Sequence, residues 1–335
     1  SIIGTIPTTF FLKVNAADEV ILDSPVIIED DKMNAKQKVI WDCIWFGSYP
    51  QRQIVKDKQL YEKNYEDDIT LKENIIENEK LFQKLEDSTG WNQENEIIIN
   101  ENKYQRLKTE EGWNYFKYEP LKWRVLKKEG KKVFLLADKI IDVGQYNVVD
   151  YTNVKWENSS IRSWLNGYGK TENQPQKDYS GNNFLDNAFD RAEKSAIYMS
   201  IVENKNNVYW GTLGGNTTRD RIFLLSEDET YYADVAQEYG FIENPNIRDE
   251  ARESKVSNYA TQKNANYIWW LRSPGAGTYK DVNVIGGYIH QDGDVNYNQY
   301  GIRPALNLNI SFDECWNYAG TVSSDGSKNE NPFPG

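Results

Sequence analysis

The sequence predicts an α+β fold of twisted antiparallel sheets, a few short helices and long loops. Three observations carry that prediction. Leu121-Lys122-Trp123-Arg124-Val125-Leu126 and Lys132-Val133-Phe134-Leu135-Leu136-Ala137 are two β-rich runs separated by Glu129-Gly130, which is the pattern of a hairpin. Leu306, Leu308 and Ile310 alternate with Asn307 and Asn309, the period of a half-buried strand. The middle of the chain holds brief helix-start signals instead of long periodic runs.

Taken in order, core-like sequence begins at Val39-Ile40-Trp41-Asp42-Cys43-Ile44-Trp45-Phe46. This reads as a strand, with Gly47 to Pro50 as its turn. Residues 56–95 are charged and uneven. Their Ile75, Ile76, Leu81, Phe82 and Leu85 have weak helical spacing, so the stretch reads as a surface insertion. Ile97–Ile99, Tyr104–Leu107 and Trp113–Tyr118 read as further strands. Ser159 or Ser160 can cap a helix carrying Ile161, Trp164 and Leu165, stopped by Asn166-Gly167. Phe184, Leu185, Ala188 and Phe189 form an apolar stripe. Asp190 with Glu193, and Ser226 with Glu229, have capping-box spacing, the second opening a helix that ends by Gly240. Gly286-Gly287 and Asp292-Gly293 read as tight turns between short strands.

The bulk numbers bound the function. In 335 residues, 39% are hydrophobic, but 11 Trp and 22 Tyr can each bury a large area, so a sizeable core is within reach. The net charge of −12 argues against nucleic acid and against anionic membrane surfaces as partners. No run is long enough for a transmembrane helix, so membrane insertion is not expected. Residues 1–16 contain a short apolar stretch, and Val14-Asn15-Ala16 fits a signal-peptidase site. They read as a signal-peptide remnant with a mature start near Ala17, which places the protein outside the cell or on its surface. Residues 17–40 are a polar leader, 41–310 a single domain, and 311–335 a C-terminal segment and linker. Cys43 and Cys315 either pair as a disulfide or remain two thiols; spacing does not choose between these.

Residues 279–300 are the most informative stretch, because 13 of these 22 residues are Tyr, Asn, Gly or Asp. Tyr supplies contact area at low entropic cost, while Asn and Gly supply adaptable hydrogen bonding. Tyr279, Asn283, Tyr288, His290, Asp292, Asp294, Asn296, Tyr297, Asn298 and Tyr300 are therefore the candidate ligand-binding set, suited to a glycan or a surface protein. Turn composition alone is the competing explanation. Asp292, Asp294 and Asn296 offer oxygen donors at alternate positions, a weak hint of calcium; the pattern lacks the Gly and Glu offsets of an EF-hand, and no cofactor is expected. His290 is the only histidine, which excludes a three-His zinc site. No G-x-S-x-G elbow and no phosphate loop is present. Trp123, Trp164, Trp269, Trp270, Arg272 and Arg303 read as structural anchors. Each arginine could fork onto an anionic ligand, but its apolar surroundings favour buried carbonyl bonding and stacking on Trp.

Six blocks in order carry a family resemblance. They are W-D-C-I-W-F-G-S-Y-P-Q (41–51), E-P-L-K-W-R-V-L (119–126), W-E-N-S-S-I-R-S-W-L-N (156–166), F-L-L-S (223–226), W-W-L-R-S-P-G (269–275) and G-I-R-P-A-L-N-L (301–308). Together they resemble domain of unknown function 6273, found in secreted and surface proteins of gut Firmicutes. The closing W-W-x-R-S … G-x-R-P pattern is also similar to lectin-like domains of the formylglycine-generating-enzyme type. That second resemblance implies a C-type-lectin-like fold over 41–310 with a binding surface on the final hairpins. The expectation is a non-catalytic recognition module. Two alternatives stand beside it: an extracellular hydrolase using two carboxylates on polysaccharide or cell wall, and a structural spacer in a longer surface protein.

Overall fold

A computed structural model describes residues 21–56, 75–149, 153–232 and 234–334. The signal-peptide remnant and much of the 56–95 insertion fall outside the described residues. The architecture is mixed α+β and mostly antiparallel.

The strands in chain order are β1 (Val26–Glu29), β2 (Gln37–Ile54), β3 (Glu96–Ile99), β4 (Asn102–Thr109), β5 (Gly112–Glu129), β6 (Lys132–Ala137), β7 (Asp142–Val143), β8 (Ser200–Val202), β9 (Thr218–Asp220), β10 (Ile222–Phe223), β11 (Trp269–Pro274), β12 (Lys280–Ile285), β13 (Tyr288–Asp294), β14 (Gly301–Ile302), β15 (Ala305–Asn309), β16 (Asn317–Ser323) and β17 (Lys328–Glu330). Among the described residues, the large sheet runs β10-β15-β6-β5-β2-β16-β17, with β1 on β2 and β3-β4 on β5. The small sheet runs β13-β12-β11-β14-β7, with β11 and β14 parallel. β8 and β9 form a separate pair.

The β5–β6 hairpin forms where the sequence suggested, with Glu129 opposite Lys132 across Gly130 at φ +61° and a register shift between Val125 and Lys127. β15 then pairs with β6, Leu306 opposite Leu135. Ser159 caps the helix Ser160–Asn166, and Gly167 ends it in the left-handed region. Both capping boxes close: Asp190 with Glu193, and Ser226 with Glu229. A π-helical turn Asp228–Tyr232 and the helix Asp234–Glu238 follow the second box.

Four expectations are corrected. Gly47–Pro50 is no turn, because β2 continues through it and pairs with β5 on both sides of a register shift. Gly47 takes φ +69° there, and a Cβ on it would lie 2.4 Å from the Phe189 ring. Trp113–Tyr118 and Leu121–Leu126 are one strand, β5, running through Pro120. The leader is partly structured, since β1 pairs with the start of β2. The segment 311–335 contributes β16 and β17, and β16 lies directly against β2, Val322 opposite Trp41. The Ser and Gly residues that read as linker form the turn between these two strands. As for the cysteines, both are free thiols, Cys43 buried within β2 and Cys315 half-buried. Burial pushes both thiols above their ordinary range.

The core is one large cluster spanning both sheets, with a smaller one of Ile54, Leu85, Tyr104 and Tyr115 beneath the helix Ile75–Glu86. Trp41, Trp123, Trp156, Trp269 and Trp270 are fully buried, and each indole N–H finds an acceptor: the carbonyls of Tyr239, Phe46, Arg252 and Gly144 for all but Trp156, which donates to Asp220. Their area is therefore buried without an orphaned donor. Arg162 and Tyr168 share Asp220 with Trp156.

Arg252 joins the sheets. It is fully buried, although it lies in the charged run Arg248–Lys255. Its guanidinium donates to the carbonyls of Thr230, Gly287 and Ile242 at 3.0, 3.0 and 2.5 Å. Its own carbonyl accepts from Trp269 Nε1 and Arg303 Nη1. Arg252→Met should cost more than about 3 kcal/mol, since it orphans several buried carbonyls. The exposed Arg248→Met should stay within about 0.5 kcal/mol of the parent. Urea unfolding of both variants checks the contrast.

Candidate functional site

β13 is the edge strand of the small sheet, and its side chains alternate between solvent and core. Tyr288, His290, Asp292 and Asp294 point outward, while Ile289 and Gly293 point inward. The turn from β12 is made by Gly286 and Gly287 at φ +52° and +85°, a tight hairpin as the sequence suggested. Asp292-Gly293 is not a turn. Gly293 lies inside β13 opposite Asp281, where a Cβ would fall 2.5 Å from Asn283 Nδ2 and 2.8 Å from the Trp270 ring. Its glycine serves close packing there, with no chain reversal.

Beside the outward face of β13 lies a cavity of about 420 Å³ lined by Trp210, Asn246, Tyr288, His290 and Asp292, with Ala276 and Gln291 behind. Trp210 is 61% exposed. Its loop is held by Asn207, which is buried. Asn207 Oδ1 accepts from the Tyr209 and Trp210 amides, and its Nδ2 donates to Gln291 Oε1 at 2.5 Å and to the Pro274 carbonyl at 2.8 Å. Thr212 Oγ1 donates to the Gly275 carbonyl at 2.8 Å, pinning the far side of the loop. Gln291 also donates to Glu227, which accepts from Tyr231. The aromatic platform thus stands on a buried polar network that fixes it relative to β13.

The candidate set divides. Tyr288, His290 and Asp292 come together on this cavity. Tyr279 is exposed on the loop before β12, its ring near Lys280. Asp294 is paired with Lys280 at 2.6 Å, and with Asp292 it lies on a strand and not in a loop. Asn298 is exposed, and the Asn296 carbonyl accepts from Gln145. Tyr297 and Tyr300 meet as tilted rings with centroids 4.6 Å apart, and Tyr300 meets Trp270 in the same way at the same distance, outside the cavity lining. Asn283 is corrected: it is 0% exposed, directed at Gly293 and Trp270, and cannot meet a ligand at the surface. Among the described residues, no group of three or more His, Cys, Asp and Glu is placed to hold a metal ion.

The anchors are placed as follows. Trp123, Trp269 and Trp270 are fully buried, and Trp164 is half-buried. Arg303 stacks on Trp269 at 5.0 Å and donates to the Ala137 carbonyl. Arg272 pairs with Glu229 and donates to the Leu224 carbonyl at 2.6 Å. Arg303 is fully buried, and Arg272 is buried beside Glu229 in the wall of a small cavity. Sequence reasoning missed Trp210 and Asn207. The signal for them was Val208-Tyr209-Trp210, an apolar triplet stranded in the polar stretch 203–217.

Residues 130–310 match the family described as Domain of unknown function (DUF6273), a span of more than half of the 335 residues. The chain belongs to the DUF6273 family. No curated protein and no solved structure matches it. Every residue lining the Trp210 cavity falls within the DUF6273 span. No helix among the described residues is long and apolar enough to cross a membrane.

Behind β13, this DUF6273 chain buries Asp281 completely. Burial lifts its carboxyl well above the ordinary range, against the Val282 amide, which favours the charged form. An unfolded aspartate releases its proton near pH ~3.9. Between that pH and the raised native value, the folded state keeps a proton the unfolded chain has lost. The associated stability is full below ~3.9 and declines as pH rises. Asp281→Asn should flatten that decline and gain about 1 kcal/mol or more at neutral pH. Urea unfolding at pH 5 and pH 8 checks it; equal slopes in parent and variant would remove Asp281 as the cause.

Proposed function

We propose that this protein is a non-catalytic recognition module that holds a glycan between Trp210 and the outward face of β13. The observation that carries the reading is the exposed Trp210 ring on a loop clamped by buried Asn207. Indoles gain by burial, so a rigidly displayed one beside a concave polar surface is a binding platform. A sugar's C–H face packs on the ring, and its hydroxyls reach Asp292, His290 and Asn246. Tyr288 forms the opposite apolar wall. Tyr279, Asp294, Asn296, Tyr297, Asn298 and Tyr300 extend the surface for the rest of a longer chain.

We read the fold as C-type-lectin-like. The closing W-W-x-R-S and G-x-R-P blocks support this, because they form the parallel β11–β14 pair from which the recognition hairpin projects. Export to the surface or the extracellular space rests on the apolar N-terminal run and on the resemblance to secreted and surface modules. The binding uses no metal in this reading.

A glycan and mucin array with the full chain tests the site. Trp210→Ala should weaken the signal at least about tenfold, or 1.4 kcal/mol, without changing the urea midpoint, and EDTA should leave it intact. Loss only in the Tyr297→Ala/Tyr300→Ala double variant would move the site to the neighbouring pair. A blank array would sink the glycan reading and turn the search to a protein partner.

A further inference from the structure

A second cavity, of about 320 Å³, lies between the two sheets. That volume is at the lower end of small-molecule sites, with room for a single ring. One wall is continuous. Tyr49 of β2, Tyr118 of β5 and Tyr259 of the helix Asn258–Gln262 pack edge to face, with ring centres 6.4 Å apart for Tyr49 and Tyr118 and 5.9 Å apart for Tyr49 and Tyr259. Tyr49 donates to Asp142 Oδ2 at 2.6 Å, and Lys263 donates to Asp142 Oδ1 at 2.5 Å. The Lys263 ammonium also lies 5.1 Å from the Tyr259 ring centre. Tyr118 donates to Glu96 Oε1 at 2.6 Å. All six of these residues line the cavity.

Three groups of the lining keep hydrogen-bonding capacity to spare. Tyr259 is 7% exposed, and its hydroxyl has no hydrogen-bond partner among the described residues. A phenylalanine would fill the same place against Tyr49, Phe116 and Lys263 without desolvating a hydroxyl. The Tyr259 hydroxyl therefore costs stability unless something in the cavity meets it. Burial pushes this phenol up to about 12, so it is a donor at neutral pH. Burial works against the Lys263 charge, but Asp142 outweighs it and the lysine stays protonated. Asp142 takes one of its three N–H groups, which leaves two. Gln145 gives its Nε2 to the Asn296 carbonyl at 2.7 Å, which leaves its Oε1 as an acceptor on the lining.

Charge narrows the ligand. The lining carries the carboxylates of Glu94, Glu96 and Asp142 against the single ammonium of Lys263, so an anion is repelled. A cation finds no unpaired buried carboxylate, because Asp142 holds Lys263, Glu96 holds Lys103 from outside the lining, and Glu94 is exposed to water. A hydroxyl group suits the wall, since it accepts from Lys263 and Tyr259 and donates to Gln145. Several hydroxyls on one ring, with C–H surface between them, match the mixture of spare polar groups and aromatic rings. We propose that this cavity binds one neutral sugar ring, with its hydroxyls on Tyr259, Lys263 and Gln145 and its C–H surface against the tyrosine wall. The proposal is independent of the Trp210 site, since the two cavities share no lining residue.

Saturation-transfer NMR tests it, on the full chain carrying Trp210→Ala so that the β13 site is silent. The probes are D-glucose, D-galactose, D-mannose and N-acetyl-D-glucosamine, with D-glucuronate and protonated D-glucosamine as charged analogues. Saturable millimolar binding of at least one neutral sugar is expected, about tenfold tighter than either charged analogue. Adding Tyr259→Phe should weaken that binding about tenfold. The same change should leave the urea midpoint unchanged or higher, because the lost hydroxyl bonds nothing in the protein. Absence of saturation by all four neutral sugars, equally tight binding of a charged analogue, or full binding in the Tyr259→Phe variant would each overturn the proposal. None of these outcomes touches the Trp210 reading, whose own test is made with Trp210 present.

Discussion

The buried Arg252 is the constraint on which the rest depends. Its carbonyl receives Trp269 from one closing block and Arg303 from the other, while its guanidinium bonds the Gly287 carbonyl at the tip of the β12–β13 hairpin. One residue thereby ties the start of β11, the entry to β15 and the turn that carries the recognition face. Asp249 completes the joint, since its side chain accepts from the Ile242 and Ala251 amides and lies 3.5 Å from Arg252. A buried guanidinium is costly to desolvate, and the arrangement persists because its donors are met by backbone carbonyls of Thr230, Ile242, Asn244 and Gly287. Gly287 is held so close that a Cβ would fall 2.6 Å from the Asp249 carbonyl.

Rigidity of the scaffold explains where exposed aromatic surface is tolerated. The five fully buried tryptophans leave no indole N–H unpaired, so their large aromatic area is buried without the cost of an orphaned donor. Trp210 stands outside that interior, yet its loop is bonded through Asn207 to Gln291, Glu227 and Pro274. A platform fixed in this way loses little further freedom when a ligand packs on it.

Much of the fold was legible in local sequence. The β5–β6 hairpin, the Gly286-Gly287 turn and the caps at Ser159, Asp190 and Ser226 each depend on a few adjacent residues whose chemistry admits few alternatives. The misreadings share a cause. Gly47, Gly293 and the Ser/Gly tail were taken as turn or linker because glycine commonly marks them. The first two are glycine because Phe189, and Asn283 with Trp270, occupy the space a Cβ needs, and the tail is ordered because β2 offers it an open edge. Of the candidate site, Tyr288, His290 and Asp292 were legible from composition; Trp210 was not, since it lies about 80 residues away along the chain.

By itself the sequence determined the α+β class, the β5–β6 hairpin, the helix caps and the family blocks, because these follow from periodicity and from neighbours within a few positions. Tertiary structure alone decided which charged residues go inside and which aromatic ones stay out. Arg252 and Asp249 lie in the charged run Arg248-Asp249-Glu250-Ala251-Arg252 and are buried; Tyr209 and Trp210 lie in the apolar triplet Val208-Tyr209-Trp210 and are displayed. The reason is that hydrophobic burial rewards any apolar side chain equally along the chain. Whether a guanidinium can be desolvated, or an indole left in water, depends on carbonyls and amides that only the folded backbone brings within reach.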